Sequence, residues 1–102
     1  MAQLQSVSAS QASLSGDLLA DTVVAVLESG RTLIARSGGQ WTVDMSAVER
    51  VSSVGVALLL DWMRCAEAAG VVLRIRALPD HLRPIIQVSD LDEVFASFCE
   101  PA

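Results

Sequence analysis

Two adjacent serines stand where a hydroxyl could take part in binding. Ser52 and Ser53 come directly before Val54-Gly55, where an apolar run that continues to Leu60 begins. A serine in this place can cap a helix by accepting a hydrogen bond from an unpaired backbone N–H, which contributes about 1 kcal/mol. A hydroxyl at the positive end of a helix can also face a protein partner or receive a phosphate group. The spacing favours the cap, and the two roles are compatible.

The other side chains able to do chemistry form no catalytic pattern. His81, the only histidine, has no nucleophile motif and no metal-ligand companion in the sequence, so we expect a solvated residue in the first turn of a helix. Asp90, Asp92 and Glu93 crowd a helix start, where negative charge complements the helix dipole. The absence of lysine excludes a Schiff-base lysine and a P-loop lysine. We therefore expect a protein that is not an enzyme and has no cofactor or metal.

The composition indicates one globular domain spanning residues 1–102. Its hydrophobic fraction of 52% predicts a packed core. The formal net charge is −5, and the seven basic residues are all arginines scattered along the chain. No basic patch therefore marks a surface for nucleic acid or for an anionic membrane. A protein partner is left open.

The expected location is the cytosol. The longest apolar stretch, residues 54–60, is followed by Asp61, whereas a membrane-spanning helix needs about 20 apolar residues. The N-terminus has no basic start with a long apolar run, so it does not resemble a secretory signal. Cys65 and Cys99 lack the spacing of a disulfide framework or a zinc site, and we expect both to be reduced.

Apolar periodicity and turn residues predict elements in the order β, β, α, β, α, β, α, α. Strand–helix–strand alternation gives parallel neighbours, so we predict an α/β fold: a small, mostly parallel sheet with an antiparallel edge strand and helices packed on it. The predicted strands lie at residues 3–7, 12–15, 41–45 and 71–76. The first predicted helix is capped by Asp21 or Thr22 and runs towards Ile34, and a single helical turn is predicted at 46–49. A long helix is predicted at 55–69, and two further helices open near Pro79 and Ser89.

Three local signals shape these boundaries. Ser46 and Glu49 have the spacing of a capping box, which predicts the single helical turn. Gly70 follows the long helix and is a good left-handed stop residue. Pro84 would remove an interior hydrogen bond from a helix that began at Leu78, so a later start or a kink is expected.

The predicted helix at residues 55–69 is apolar on more than one face. Its first stripe should pack on the sheet and consists of Val56, Leu59, Leu60 and Met63. A second stripe contains Leu58, Trp62 and Cys65. Neighbouring helices could cover this second stripe, or it could form a partner-binding surface. Trp62 is the main candidate for such a surface, because aromatic anchors are common at interface hot spots.

Residues 43–60 resemble the core of the STAS domain family. In that family a strand ends in Asp-Leu-Ser, and Asp-Ser-Ser-Gly or Asp-Thr-Gly-Gly then precedes a Leu-rich helix. Here Asp44-Met45-Ser46 is followed by Ser52-Ser53-Val54-Gly55 and a Leu-rich run. The order of elements extends the resemblance over nearly the whole chain, with residues 14–18 similar to the family's early strand and turn, and residues 78–91 similar to its later helix.

Within the family, residues 55–62 are most similar to the small STAS subunits of phospholipid-transport ABC complexes in Gram-negative bacteria. The resemblance implies a non-catalytic cytoplasmic subunit that binds the ATPase subunit and supports assembly and activity of the complex. It also implies that the subunit is peripheral at the inner membrane and associates with the membrane only through that partner. The residues predicted to contact the partner are Ser52, Ser53, Val54, Gly55, Leu58 and Trp62.

The alternative within the family is an anti-sigma factor antagonist, a partner-switching regulator that a kinase phosphorylates on a loop serine. Aligned on Gly55, Ser53 falls at the first hydroxyl position of the motif. In the motif of the antagonists, the phosphorylated serine stands at the position that Val54 occupies here, and an aspartate usually stands at the position of Ser52. Both departures argue against the usual phosphorylation switch.

Overall fold

Strands and helices follow one another in the predicted order over residues 2–99, the part of the chain that the computed structural model describes. The strands are β1 (Gln3–Ser8), β2 (Gln11–Leu18), β3 (Gln40–Val51) and β4 (Val72–Arg76). The helices are α1 (Val23–Ala35), α2 (Ser53–Ala69), α3 (Arg83–Val88) and α4 (Asp92–Phe98), and a short 3₁₀ helix, Asp80–Leu82, leads into α3.

The strands form one four-stranded sheet in the order β1-β2-β3-β4. β1 and β2 are antiparallel, with Leu4 opposite Leu14, whereas β2–β3 and β3–β4 are parallel. The predicted fold class, a mostly parallel sheet with an antiparallel edge strand, is therefore confirmed. No helix within residues 2–99 has the length and apolar character needed to cross a membrane.

The helical turn predicted at residues 46–49 is wrong, because β3 continues through this segment to Val51. β2 supplies ladder partners here: Ser15 lies opposite Ala47, and Gly16 lies opposite Val48. The Ser46 N–H bonds to a carboxylate oxygen of Asp44 at 2.8 Å instead of starting a turn. Long-range pairing with β2 thus outweighs the local capping-box signal.

The two predicted helix boundaries that depended on glycine and proline agree with the structure. α2 ends at Gly70, whose φ of 69° is left-handed, a conformation that glycine adopts without strain. α3 begins at Arg83, so Pro84 lies in its first turn, where a missing N–H costs little. The later start expected for this helix is therefore confirmed.

Both tryptophans lie together in the core between the sheet and the helices. Trp41 of β3 and Trp62 of α2 are 1% and 0% exposed, and their rings meet edge to face with centroids 5.6 Å apart. The Trp62 indole N–H donates to the Leu27 carbonyl of α1 at 3.1 Å. A Cβ added to Gly30 of α1 would lie closer than 3.0 Å to the same indole. α1 can therefore reach α2 only because residue 30 is glycine.

The second apolar stripe of α2 is thus covered mainly by a neighbouring helix. Trp62 is fully buried, and Leu58 is only 2% exposed. Of the three residues in this stripe, Cys65 alone keeps intermediate exposure. The interpretation of Leu58 and Trp62 as exposed partner contacts does not fit their burial beneath α1. On the first stripe, Val56, Leu59 and Met63 are buried as predicted, while Leu60 is half-buried.

Candidate functional site: a docking surface at the start of α2

The sequence predicted that one of the two serines caps this helix, and the N-cap of α2 is Ser52. Its backbone is extended, with φ −125° and ψ −176°, and its hydroxyl oxygen accepts the Val54 N–H at 3.3 Å. The same hydroxyl donates to the Leu18 carbonyl at 3.4 Å, and the Ser52 N–H donates to that oxygen at 3.2 Å. Ser52 therefore caps the helix and ties its start to the end of β2. Its hydroxyl is engaged inside the domain.

Ser53 has the opposite environment. It is the first residue of α2, and its side chain is exposed. Among residues 2–99 its hydroxyl makes no hydrogen bond. A hydroxyl at a helix N-terminus lies in the positive field of the helix dipole, where it can donate to an acceptor on another molecule. Of the two serines, Ser53 is the one available to a partner.

A shallow apolar cavity lies beside Ser53, between α1 and α2. Its volume is about 230 Å³, and one of its six lining residues, Asp61, is charged. Val54 and Ala57 belong to the first turns of α2, and Ala57 is exposed. The other lining residues are Val23 and Leu27 from α1, and Leu58 from α2. The site therefore combines a hydroxyl at a helix end with a concave apolar surface of the size of one large side chain.

An ion pair bridges α1 and α2 next to this cavity. The guanidinium of Arg31 donates to both carboxylate oxygens of Asp61, with Nη2–Oδ1 at 2.6 Å and Nε–Oδ2 at 2.9 Å. The hydrogen bonds from Arg31 hold the pKa of Asp61 below its ordinary value. Arg31 also pairs with Glu28 on its own helix. Because a bidentate pair fixes both distance and orientation, it links α1 to α2 at Asp61, one of the residues that line the cavity.

Gly55 lies beneath this surface and is buried. Its N–H donates to the Ser52 carbonyl at 2.9 Å, which closes the first turn of the helix. A Cβ at this position would meet Leu18 atoms at 3.5 Å and Leu82 at 3.8 Å, which are ordinary contact distances. Gly55 therefore supports the loop from inside and has no crowding that requires glycine.

Ser52, Ser53, Val54 and Gly55, which are consecutive in the chain, lie together at the start of α2, whereas Leu58 contributes only a cavity wall and Trp62 lies in the core. Sequence reasoning missed the α1 side of the surface, formed by Val23, Leu27 and Arg31. Their spacing of four residues places them on one helical face. That spacing could have identified the face but not the helix it meets.

The remaining chemical candidates do not line this cavity. His81 is exposed in the 3₁₀ helix, and Asp92 and Glu93 lie in the first turn of α4, where acidic side chains complement the dipole. Asp90 lies in the preceding turn with a φ of 59°. Residues 2–99 contain no group of three or more His, Cys, Asp or Glu side chains that could hold a metal ion.

Comparison with solved structures places this arrangement in a known fold. The chain is similar to the anti-sigma factor antagonist SpoIIAA in its unphosphorylated form, with a TM-score of 0.69 and 20% identity over 100% of this chain and 89% of that one. It is also similar to the Bacillus cell fate determinant SpoIIAA in the phosphorylated form, with a TM-score of 0.68 and 23% identity over 100% of this chain and 91% of that one. At these identities the likeness establishes the fold alone.

The family itself follows from the sequence match. The family model described as "Mlab, STAS domain" matches residues 1–97. The chain therefore belongs to the STAS domain family, in its MlaB-like branch. No curated protein matches the chain.

Proposed function

We propose that this chain is a non-catalytic STAS subunit that binds the ATPase subunit of a phospholipid-transport ABC complex and supports its assembly and activity. One observation carries the proposal: at the start of α2 an exposed, unengaged hydroxyl on Ser53 directly precedes Val54, which lines an apolar cavity. The match to the MlaB-like branch supports the choice of partner. The lipid and ATP chemistry then belong to the partners, and this chain reaches the inner membrane only through them.

The shape of the surface fits a protein better than a small ligand. The cavity is open and shallow, and its walls are almost wholly apolar, so one apolar side chain of the partner can fill it. Val24 is 68% exposed on the first turn of α1 and extends the apolar area beyond Val23. The Ser53 hydroxyl supplies a polar contact at the rim, which fixes the orientation of the partner.

Docking of this kind needs no covalent switch. In the motif of the anti-sigma factor antagonists, a phosphorylated serine stands at the position that Val54 occupies here. The half-buried side chain of Val54 lines the cavity. The neighbouring hydroxyl of Ser52 is already used to cap the helix. Both features favour a surface that binds its partner constitutively.

The test measures binding of the purified chain to the ATPase subunit of the host's phospholipid-transport complex. Ser53→Trp and Ser53→Asp place bulk or charge at the rim without removing the Ser52 cap, so both should weaken binding by about tenfold or more, which corresponds to about 1.4 kcal/mol. Ser89→Trp and Ser89→Asp are matched controls, because Ser89 is an exposed serine at the end of α3. Unchanged capture by both Ser53 variants would reject this loop as the contact.

A second candidate function is that of an anti-sigma factor antagonist. The observation in its favour is the hydroxyl pair at the start of α2, in a fold shared with an antagonist solved in phosphorylated and unphosphorylated forms. This function requires a kinase to phosphorylate Ser53 or Ser52. Mass spectrometry after incubation with cell extract and ATP should then find phosphate on one of these serines. Its persistent absence would count against the switch.

A further inference from the structure

The outer edge of β1 is open. β1 is the terminal strand of the sheet and pairs only with β2 among residues 2–99. Five of its six residues are exposed, and Leu4 alone is half-buried against the core. A terminal strand presents unpaired backbone N–H and C=O groups that can pair with another strand.

The opposite edge of the sheet is protected. Cys99 forms a parallel bridge to Ile75 of β4, so this residue, directly after α4, covers part of that edge. The Arg74 guanidinium donates to the Ser97 carbonyl at 3.2 Å, which holds the end of α4 there. β4 also carries two arginines in five residues. Charge and coverage are the usual means by which proteins prevent edge pairing, and β1 has neither.

The lack of charge at β1 extends through the hairpin as far as Gly16 of β2. The first charged side chain in the sequence is that of Asp17, near the end of β2. The protection that β1 does have is a register irregularity between Ser6 and Ser8, which leaves residues 3–6 in regular pairing. A chain with twelve acidic and seven basic residues thus keeps one edge strand neutral.

A neutral edge strand is suited to pairing with its own copy. In an antiparallel pair related by a two-fold axis at Leu4, residue 4 faces residue 4 of the other chain, and Gln3 faces Gln5. A charge at residue 4 would face its own copy across the pair, and a charge at residue 3 or 5 would lie diagonally two residues from its copy on the same face, which destabilises a sheet. Gln3 and Gln5 carry no charge, and their amides can hydrogen-bond to each other.

We propose that β1 is a self-association edge, where two copies of this chain pair their β1 strands antiparallel and form a continuous eight-stranded sheet. The regular stretch is short, so the dimer is weak and depends on concentration. This edge shares no residue with the docking surface around Ser53. The inference therefore stands or fails separately from the proposed partner.

Sedimentation equilibrium of the purified chain, from micromolar to about millimolar concentration, tests the proposal. Wild type should form a reversible dimer. Gln3→Lys/Gln5→Lys and Gln3→Glu/Gln5→Glu should each raise the dimer dissociation constant about tenfold or more, because like charges then face each other. An equimolar mixture of the two variants should restore dimerisation through opposite charges. Gln87→Lys is the matched control, because Gln87 is exposed on α3.

Far-UV circular dichroism and thermal unfolding of each variant establish that the domain remains folded. Recovery of the dimer in the mixture supports pairing at β1, since unfolded variants could not recover it. Two results would overturn the proposal: a wild-type chain that stays monomeric at about millimolar concentration, or folded like-charge variants that dimerise as strongly as wild type.

Discussion

Replacing Gly30 with alanine tests how closely α1 and α2 are packed. The added Cβ would lie closer than 3.0 Å to the Cε2, Nε1 and Cζ2 atoms of Trp62. The indole has little freedom to move, because its N–H is bonded to the Leu27 carbonyl and its ring packs on Trp41. Relief therefore requires α1 to move away from α2, which would also widen the cavity beside Ser53.

The expected loss of stability follows from two opposing effects. Overpacking a core costs about 1 to 3 kcal/mol, and the contact with three ring atoms places this site at the upper end. Alanine has a higher helix propensity than glycine, which returns about 1 kcal/mol. We therefore expect the free energy of unfolding to fall by about 2 kcal/mol, which lowers Tm by about 10 °C in a domain of this size.

Urea unfolding followed by circular dichroism measures this difference, with Ser29→Ala as the control. Ser29 neighbours Gly30 but is exposed, so its replacement should leave stability unchanged or slightly raised. Trp62→Phe should make the Gly30→Ala change less costly than it is in wild type, since the smaller ring relieves the contact. The packing argument would be refuted by a Gly30→Ala protein as stable as wild type.

Four further substitutions separate the roles of residues in and around α2. Ser52→Ala should lower the free energy of unfolding by about 1 kcal/mol by removing the cap, whereas Ser53→Ala should leave it unchanged; urea unfolding of both distinguishes them. Gly55→Ala should keep Tm unchanged or raise it, because the new Cβ meets Leu18 only at ordinary contact distance and alanine favours the helix; a large fall in Tm would contradict this. Asp61→Asn should flatten the acid dependence of Tm. The pKa of Asp61 is lowered on folding by the hydrogen bonds from Arg31. The carboxylate therefore stabilises the fold above its unfolded pKa of about 3.9, and this stabilisation is lost as pH falls through the lower folded pKa. Thermal unfolding between about pH 6 and pH 2 measures the slope, and equal slopes for both proteins would show that the pair contributes nothing.

Much of this fold could be predicted from local signals in the sequence. The stop at Gly70 and the cap by one of the two serines agree with the structure, because backbone conformation and a short-range hydrogen bond decide them. The late start of α3 agrees for the same reason, since Pro84 restricts its own neighbourhood. Such features depend on only a few adjacent residues.

The errors arose where distant residues decide the outcome. Ser46 and Glu49 have the spacing of a helical turn, but β2 offers backbone partners that keep this segment extended. The two apolar stripes of α2 were visible in the sequence, yet the coverage of Trp62 depends on the close approach of α1 at Gly30. Two of the six residues that line the cavity likewise come from α1, and no spacing within one helix reveals which neighbour it meets.

The paired tryptophans give this protein a built-in spectroscopic probe. The chain has two tryptophans and no tyrosine, so both of its strong near-ultraviolet chromophores lie in one buried cluster. Perpendicular indoles 5.6 Å apart are close enough to couple as oscillators, which gives the folded core its own circular-dichroism signature. Emission and dichroism at these wavelengths therefore report the integrity of the core, while an event at the exposed Ser53 changes them only if it reaches Trp62 through the packing of α1.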